Sequence, residues 1–263
     1  MTELPAPAVT ITGRVNAAGF VALLRYETRR WTRQPLQYVA APAVNAMLLF
    51  AVFRLSLPEP DAADRLAFLA PGLAMMAVLH AAFETPAWSI VDLKLRGTIV
   101  DLLMPPLGTF ELVVAFAFSG ASRGLVVGAL VLGLMAPFAP IDPVHPMAAV
   151  GFAAGGGSAL ALAGVVVGIE ASKFDHVASM ENFVVVPLAF LSGSFYAVGS
   201  LAEPWRSISF ANPLFHAVDG FRWALGGAAQ GAAVVAALVV AGVVLLLAAL
   251  AWNRLATSSK LRP

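Results

Sequence analysis

The sequence feature that most constrains this chain is a series of apolar runs, each about 20 residues long or longer and nearly free of charge. A helix of that length crosses a hydrocarbon layer of roughly 30 Å. The runs are continuous rather than alternating, which excludes a transmembrane β-barrel. The chain is 60% hydrophobic and 12% charged, whereas a soluble domain carries about 25% charged residues. The sequence therefore predicts an all-α polytopic membrane protein.

Six transmembrane helices are predicted from these runs and the polar segments between them. The third run is too long for one crossing and contains Arg123, so its first part is expected to project from the membrane. Residues 199–230 contain no piece long enough to span, and a re-entrant outer helical hairpin is predicted there. The predicted transmembrane helices cover residues 37–57, 66–90, 110–138, 147–169, 177–198 and 232–252.

The distribution of basic residues predicts the orientation of these helices. Twelve of the 16 Lys and Arg residues fall on the side that holds the two termini. Both termini and residues 91–107 are therefore expected in the cytoplasm, and residues 199–230 outside. The net charge of +1 gives no indication of nucleic-acid binding.

Residues 15–34 predict an amphipathic helix before the first transmembrane helix. Arg25, Arg29 and Arg33 recur at four-residue spacing, and Trp31 lies on nearly the opposite face. Such a helix lies in the plane of the membrane interface. A plainer juxtamembrane helix attracted to anionic lipid is the overlapping alternative.

Small residues recur at four-residue spacing in two predicted transmembrane helices. The first set is Gly120, Gly124 and Gly128, and the second is Gly164 and Gly168. Faces of this kind allow helix backbones to approach closely. Packing within the chain is predicted for most of them, and a homodimer seam is the alternative.

Ionisable residues gather near the predicted cytoplasmic ends of the transmembrane helices. His80 and Glu84 share one helix face, and Glu84 lies about 27 Å along the second transmembrane helix. Glu170, Lys173 and Glu181 are expected at the same level. A structural layer of salt bridges at the inner face is predicted, with a proton relay or a cytoplasmic gate as the alternatives.

The outer excursion has clear helix signals. Asn212-Pro213 predicts a helix start and Gly226-Gly227 predicts its end. Asp219 and Arg222 are one turn apart, so they are expected to pair and to stay hydrated near the interface. Ser192-Gly193, at the end of the fifth predicted transmembrane helix, is expected to act as a flexible joint.

Motif searches give no catalytic, cofactor-binding or metal site. The chain has no cysteine, no GxxxxGK[ST] phosphate loop and no HExxH zinc motif, so binding of ATP in the P-loop manner is excluded. Neither Gly157-Ser158 nor Gly193-Ser194 has the GxSxG frame of a serine hydrolase.

Two segments and the overall layout resemble the ABC-2 type permease family, the membrane subunits of bacterial ATP-binding-cassette exporters. The run PLAFLSGSFYAVGSLAEPWRSISFANPLFHAVDGFRWALGG, at 187–227, is similar to the family pattern PL-x-FLSG-x-FYP…LP-x-W…NP-x-x-x-x-V-x-x-x-R-x-x-x-x-G. The run LKLRGTIVDLLMPPLGTFEL, at 93–112, is similar to the cytoplasmic segment after the family's second helix. Ala197 stands where the family often has proline, and Ala202-Glu203 shifts the usual Leu-Pro spacing.

The resemblance implies a transporter subunit of the bacterial inner membrane that is not itself an enzyme. Two copies of this chain would pair above two copies of a separate ATPase, which would hold Mg-ATP. Residues 15–34 would be the interfacial connecting helix. Residues 91–107 would be the coupling segment, with candidate coupling residues Lys94, Arg96, Gly97, Asp101 and Pro105. The substrate exported would be hydrophobic, amphipathic or lipid-linked.

Two other classes stay open alongside this one. The first is an ion-coupled secondary carrier, a class that often has inverted repeats and helices broken at mid-membrane. No repeat relates residues 37–107 to 147–227, and the break at Ser192 lies well past mid-span. The second is a membrane-embedded enzyme that uses His80, Glu84 or Glu181.

Overall fold

The computed structural model describes residues 17–56, 62–99 and 107–257, and within these ranges the chain is a bundle of helices. A π-helical turn, Leu36–Ala40, leads into α2, and a second, Glu181–Val185, joins α6 to α7. The α-helices are α1 Ala17–Thr32, α2 Ala41–Ser56, α3 Ala62–Leu95, α4 Thr109–Met135, α5 Pro146–Glu170, α6 Phe174–Met180, α7 Val186–Phe190, α8 Trp205–Ala211, α9 Pro213–Ala224 and α10 Ala233–Thr257.

Within the described ranges, five helices are long and apolar enough to cross a membrane: Leu36–Ser56, which includes the first π-helical turn, together with α3, α4, α5 and α10. They coincide with five of the six predicted transmembrane helices. The predicted fifth one, 177–198, is shorter than expected. Its helices of seven and five residues are joined by a five-residue π-helical turn and end at Phe190.

The long helix α3 lies at the centre of the bundle, and glycines bring α4 and α5 against its backbone. A methyl group at Gly120 would lie 2.6 Å from the Ala82 carbonyl oxygen, and one at Gly124 would lie 2.7 Å from that of Val78. A methyl group at Gly164 would collide with the Phe83 carbonyl. The prediction that these small residues pack helices within the chain is confirmed.

The predicted boundary between the second transmembrane helix and the coupling segment is wrong. The helix does not stop at residue 90 but continues to Leu95, because Val91 and Leu93 are buried and prolong its packed face. A turn at residues 96–98 follows, with Gly97 at φ +71°. Lys94 is thus on the helix and Arg96 on the turn. Asp101 and Pro105 lie outside the described residues.

The segment predicted as the outer excursion, residues 199–230, contains the two predicted short helices, α8 and α9, with Asn212 between them. The Asn212 side-chain oxygen accepts a hydrogen bond from the Leu214 amide at 3.0 Å, and its amide group donates to the Leu188 carbonyl at 2.6 Å. Gly226, at φ +80°, follows α9. The helix start and end predicted from Asn212-Pro213 and Gly226 are therefore confirmed.

The bundle has two ends, which define the terms used below. At the α1 end, α1 packs beside the last turns of α3 and the first turns of α4. At the hairpin end, α9 packs beside the first turns of α3, α5 and α10, and α8 packs against α9. Each end holds one cluster of buried charge.

Candidate functional site

The charged cleft at the α1 end is a cavity of about 520 Å³. Helices α1, α2, α3 and α4 and the segment from α6 into the π-helical turn contribute to its walls. Four carboxylates and two guanidinium groups line it together with aromatic rings. The lining residues are Glu27, Arg30, Trp31, Gln37, Tyr38, Ala41, Pro42, Asn45, Glu84, Thr85, Trp88, Asp92, Arg123, Phe174 and Glu181.

The centre of the charged cleft is the ion pair between Arg123 of α4 and Glu84 of α3, with 2.9 Å between Nη2 and Oε2. Arg123 is buried, and its Nε also donates to the Tyr38 carbonyl at 2.9 Å. Its Nη1 donates to the Ala81 carbonyl at 3.3 Å and to the Thr85 hydroxyl at 3.2 Å. This charge is compensated inside the protein, so Arg123 gives no reason to place the first part of α4 outside the membrane.

Two side-chain contacts tie α1 to the last turns of α3. Glu27 is fully buried, and its Oε1 accepts a hydrogen bond from the Ser89 hydroxyl at 2.9 Å. Burial raises the pKa of Glu27 to about 7, since desolvation disfavours the charged carboxylate. One turn further along, Arg30 contacts Asp92 at 3.3 Å, and Asp92 also accepts from Arg96 at 2.8 Å.

The wall opposite α1 comes from the segment that begins with α6. Phe174 stacks on Trp88 of α3 with 5.6 Å between ring centroids. Glu181, the first residue of the π-helical turn, lies close enough to Glu84 for the two carboxylates to interact. The change from α-helical to π-helical geometry at Glu181 thus occurs at the edge of the charged cleft.

Outside the charged cleft, other residues of the predicted inner-face layer have different partners. Lys94 donates to the last carbonyls of α5, at 3.2 Å for Gly168 and 2.7 Å for Ile169, and so caps that helix. Glu170 pairs with Arg254 of α10 at 2.7 Å. Lys173 is exposed just before α6. His80 is one turn from Glu84. The Nε2 atom of His80 is buried and has no hydrogen-bond partner among the described residues.

The cluster at the hairpin end is centred on Arg222, which is 0% exposed. Its Nη2 donates to the Gly193 carbonyl at 2.8 Å and its Nε to the Phe68 carbonyl at 3.3 Å, while the guanidinium lies 3.8 Å from the centre of the Phe68 ring. Asp219 lies 3.8 Å away and accepts hydrogen bonds from the Gln230 and Gly231 amides. The prediction that Asp219 and Arg222 stay hydrated is wrong, because both are buried. Arg222 lies against α3, and Asp219 lies against the residues that precede α10.

The turn at Ser192-Gly193 is held by several contacts. Gly193 has φ +70°, and the Ser192 and Ser194 hydroxyls are 2.8 Å apart. The Ser194 carbonyl lies against Gly72 of α3, where a methyl group would collide with it. Arg222 therefore joins three segments that are far apart in sequence: α3, this turn and α9.

Residues 18–225 match the family described as ABC-2 type transporter. The chain belongs to the ABC-2 type transporter family. It is 30% identical over 202 residues to the inner membrane transport permease YadH of Escherichia coli (strain K12), covering 75% of this chain and 78% of that protein. It is 25% identical over 215 residues to nodulation protein J of Sinorhizobium fredii (strain NBRC 101917 / NGR234), with 80% and 82% covered. For nodulation protein J of Rhizobium leguminosarum bv. viciae the identity is 26% over 211 residues, with 76% and 79% covered.

The family match runs from α1 to the end of α9, so it includes both charge clusters. This ABC-2 transporter component therefore has one cluster at each end of the bundle, and the family match covers the charged side chains of both. Membership confirms the resemblance drawn from the segments at 93–112 and 187–227.

Several residues of the charged cleft were not predicted from the sequence, namely Glu27, Arg30, Trp88 and Asp92. The sequence did contain a signal that Glu27 is buried. Glu27 is four residues from both Leu23 and Trp31, and these three residues form the buried face of α1. A carboxylate on an apolar face is costly unless it has a partner. The partners themselves lie 62 residues away in sequence and leave no local signal.

Proposed function

We propose that this chain is the transmembrane permease subunit of an ATP-binding-cassette exporter of the bacterial inner membrane. It moves a hydrophobic, amphipathic or lipid-linked substrate outward, and a separate ATPase supplies the energy. Two copies of the chain and two of the ATPase form the complex, with both termini in the cytoplasm. Family membership supports this assignment, and one structural observation carries it, the linkage of α1 to the end of α3.

That linkage provides a route for force from an ATPase into the membrane helices. Arg30, Asp92 and Arg96 form a continuous chain of ion pairs from α1 to the turn that follows α3. Arg96 is 70% exposed, so its side chain is available to a partner protein. An ATPase that displaced this turn would move α1 and α3 together, because Glu27 and Ser89 join the same two helices one turn away.

The hairpin end has a role in substrate exit in this proposal. Helices α8 and α9 re-enter the outer leaflet without crossing it, and the segment from α6 to α7 completes a six-span topology. The hairpin closes the exit between two protomers and must shift during export. Arg222 supports this role, since it ties α9 to the Ser192-Gly193 turn and to central helix α3.

The coupling role is tested in proteoliposomes that contain the chain and its ATPase. Arg96→Glu reverses the exposed charge beside Asp92, and Gly97→Trp places a bulky side chain where φ is +71°. Both variants are expected to insert normally and to lose transport while ATP hydrolysis continues. Lys173→Glu is the matched control, a charge reversal at an exposed position of the same end. Unchanged transport in both variants would contradict the coupling role.

The topology is tested separately by cysteine labelling, which is clean because the chain has no native cysteine. Ser259→Cys is expected to react with a membrane-impermeant maleimide only after the cells are opened. Labelling in intact cells would overturn the assignment of the C-terminus to the cytoplasm.

A further inference from the structure

We infer that the charged cleft binds an amphipathic organic amine, with its N–H groups donated to Glu27 and Glu181 and an adjacent oxygen acceptor facing Trp31. The inference goes beyond the exporter proposal, since binding to the purified chain requires no ATPase. It rests on charge balance, on unpartnered polar atoms and on the shape of the cleft.

The charge balance of the cleft leaves two carboxylates without a cation. Arg123 is neutralised by Glu84, and Arg30 is paired with Asp92. Among the described residues, neither Glu27 nor Glu181 forms an ion pair with these or other basic side chains. A bound cation would compensate both, because pairing with a cation stabilises a buried or half-buried carboxylate. The Ser89 hydroxyl satisfies only Oε1 of Glu27.

Two buried polar atoms in the cleft have no hydrogen-bond partner within the part of the chain that the structure describes. They are Oε2 of Glu27, whose residue is 0% exposed, and Nε1 of Trp31, whose residue is 8% exposed. Both side chains line the cavity and lie one turn apart on α1. Orphaned buried groups are rare in native proteins, and a bound molecule that donates to Glu27 and accepts from Trp31 would satisfy both.

The required ligand has both an N–H donor and an oxygen acceptor. The amine satisfies the Glu27 carboxylate, and a hydroxyl, ether or phosphate oxygen nearby accepts from Trp31. The rings of Trp31 and Trp88 line the same cavity and suit the apolar part and the cationic edge of such a molecule. A volume of about 520 Å³ is in the range of sites for drug-sized ligands.

The test uses the purified full-length chain in detergent and tritiated propranolol, an aryloxy amino alcohol that has these groups. Wild-type protein is expected to bind it saturably. Glu27→Gln and Glu181→Gln should each weaken binding about 10- to 100-fold, the effect of losing one hydrogen bond to a charged group. Trp31→Phe keeps the ring and removes only the N–H, so a smaller loss of about three- to tenfold is expected.

Glu170→Gln is the matched control, because Glu170 is a carboxylate at the same end that pairs with Arg254 outside the cleft. Its affinity should equal that of the wild type. Equal affinity of Glu27→Gln and wild type would overturn the inference, provided that the variant is stable and monodisperse. Equal weakening by Glu170→Gln would overturn it as well, since the effect would then reflect surface charge.

A second arm identifies the natural source of the amine. In nanodiscs of phosphatidylcholine, the quaternary headgroup has no N–H to donate and is expected not to compete with propranolol. Competition by added phosphatidylethanolamine would assign the site to a lipid headgroup. Absence of competition would assign it to a free amphipathic amine. Absence of propranolol binding in detergent together with no retention of phosphatidylethanolamine by the wild type would overturn the proposal.

Discussion

Replacement of Arg222 by methionine tests whether the buried cluster at the hairpin end holds α9 to the bundle. Methionine is shorter but has an unbranched side chain of comparable volume, so the variant removes charge and hydrogen bonds more than volume. The guanidinium donates to the Gly193 carbonyl at 2.8 Å and to the Phe68 carbonyl at 3.3 Å. Its contact with Asp219, at 3.8 Å, is too long for a hydrogen bond.

The expected fall in the free energy of unfolding can be estimated from these contacts. A hydrogen bond from a charged donor contributes about 1.5–3 kcal/mol, and breaking a buried ion pair costs about 3–5 kcal/mol. Asp219 keeps its two backbone donors, Gln230 and Gly231, when the arginine is lost. The free energy of unfolding is therefore expected to fall by about 3 kcal/mol, at the low end of the range for a broken pair. Arg222→Lys should lose less, because it keeps a positive charge and one donor group.

The assay is reversible unfolding of the purified chain in mixed micelles with increasing sodium dodecyl sulfate, followed by circular dichroism. Arg206→Met is the matched control, since Arg206 is an exposed arginine of the neighbouring helix α8. Its unfolding free energy should change by no more than about 0.5 kcal/mol. An unfolding free energy for Arg222→Met within that same margin of the wild type would refute the reasoning.

Three further changes address other contacts. Glu27→Gln should remove one contribution to the pH dependence of stability. Because the pKa of Glu27 is raised from 4.5 to about 7, its contribution is fully present below pH 4.5, and about 3 kcal/mol is lost as the pH rises from 4.5 through 7. The measurement compares the apparent melting temperatures of the wild type and the variant at pH 4.5 and 8. A wild type with the same slope as the variant would contradict this. Gly72→Ala should lower the melting temperature because its methyl group meets the Ser194 carbonyl, whereas Gly133→Ala, with open space around it, should not. Asn212→Ala should cost about 1 kcal/mol through loss of the N-cap, measured by the same detergent titration, and no change would argue against the cap.

Much of the helical layout was predictable because the signals are local. A helix rises 1.5 Å per residue, so the length of an apolar run is sufficient to predict a membrane-spanning helix. The start of α9 at Asn212-Pro213 was predictable for the same reason, since a cap acts only on its own first turn. The fifth predicted transmembrane helix was overestimated because its apolar run continues beyond Phe190, where the Ser192-Gly193 turn ends the helix.

The sequence alone determined the class of the protein, its long helices and its membership of the ABC-2 family. The signals for all three lie in residues that are close together along the chain. The tertiary structure decided which charges are buried and what each one contacts. Arg123 meets the Tyr38 carbonyl across 85 residues, and Arg222 meets the Phe68 carbonyl across 154. Pairing at such separations depends on how helices pack against one another, so the spacing of residues along one helix does not reveal it.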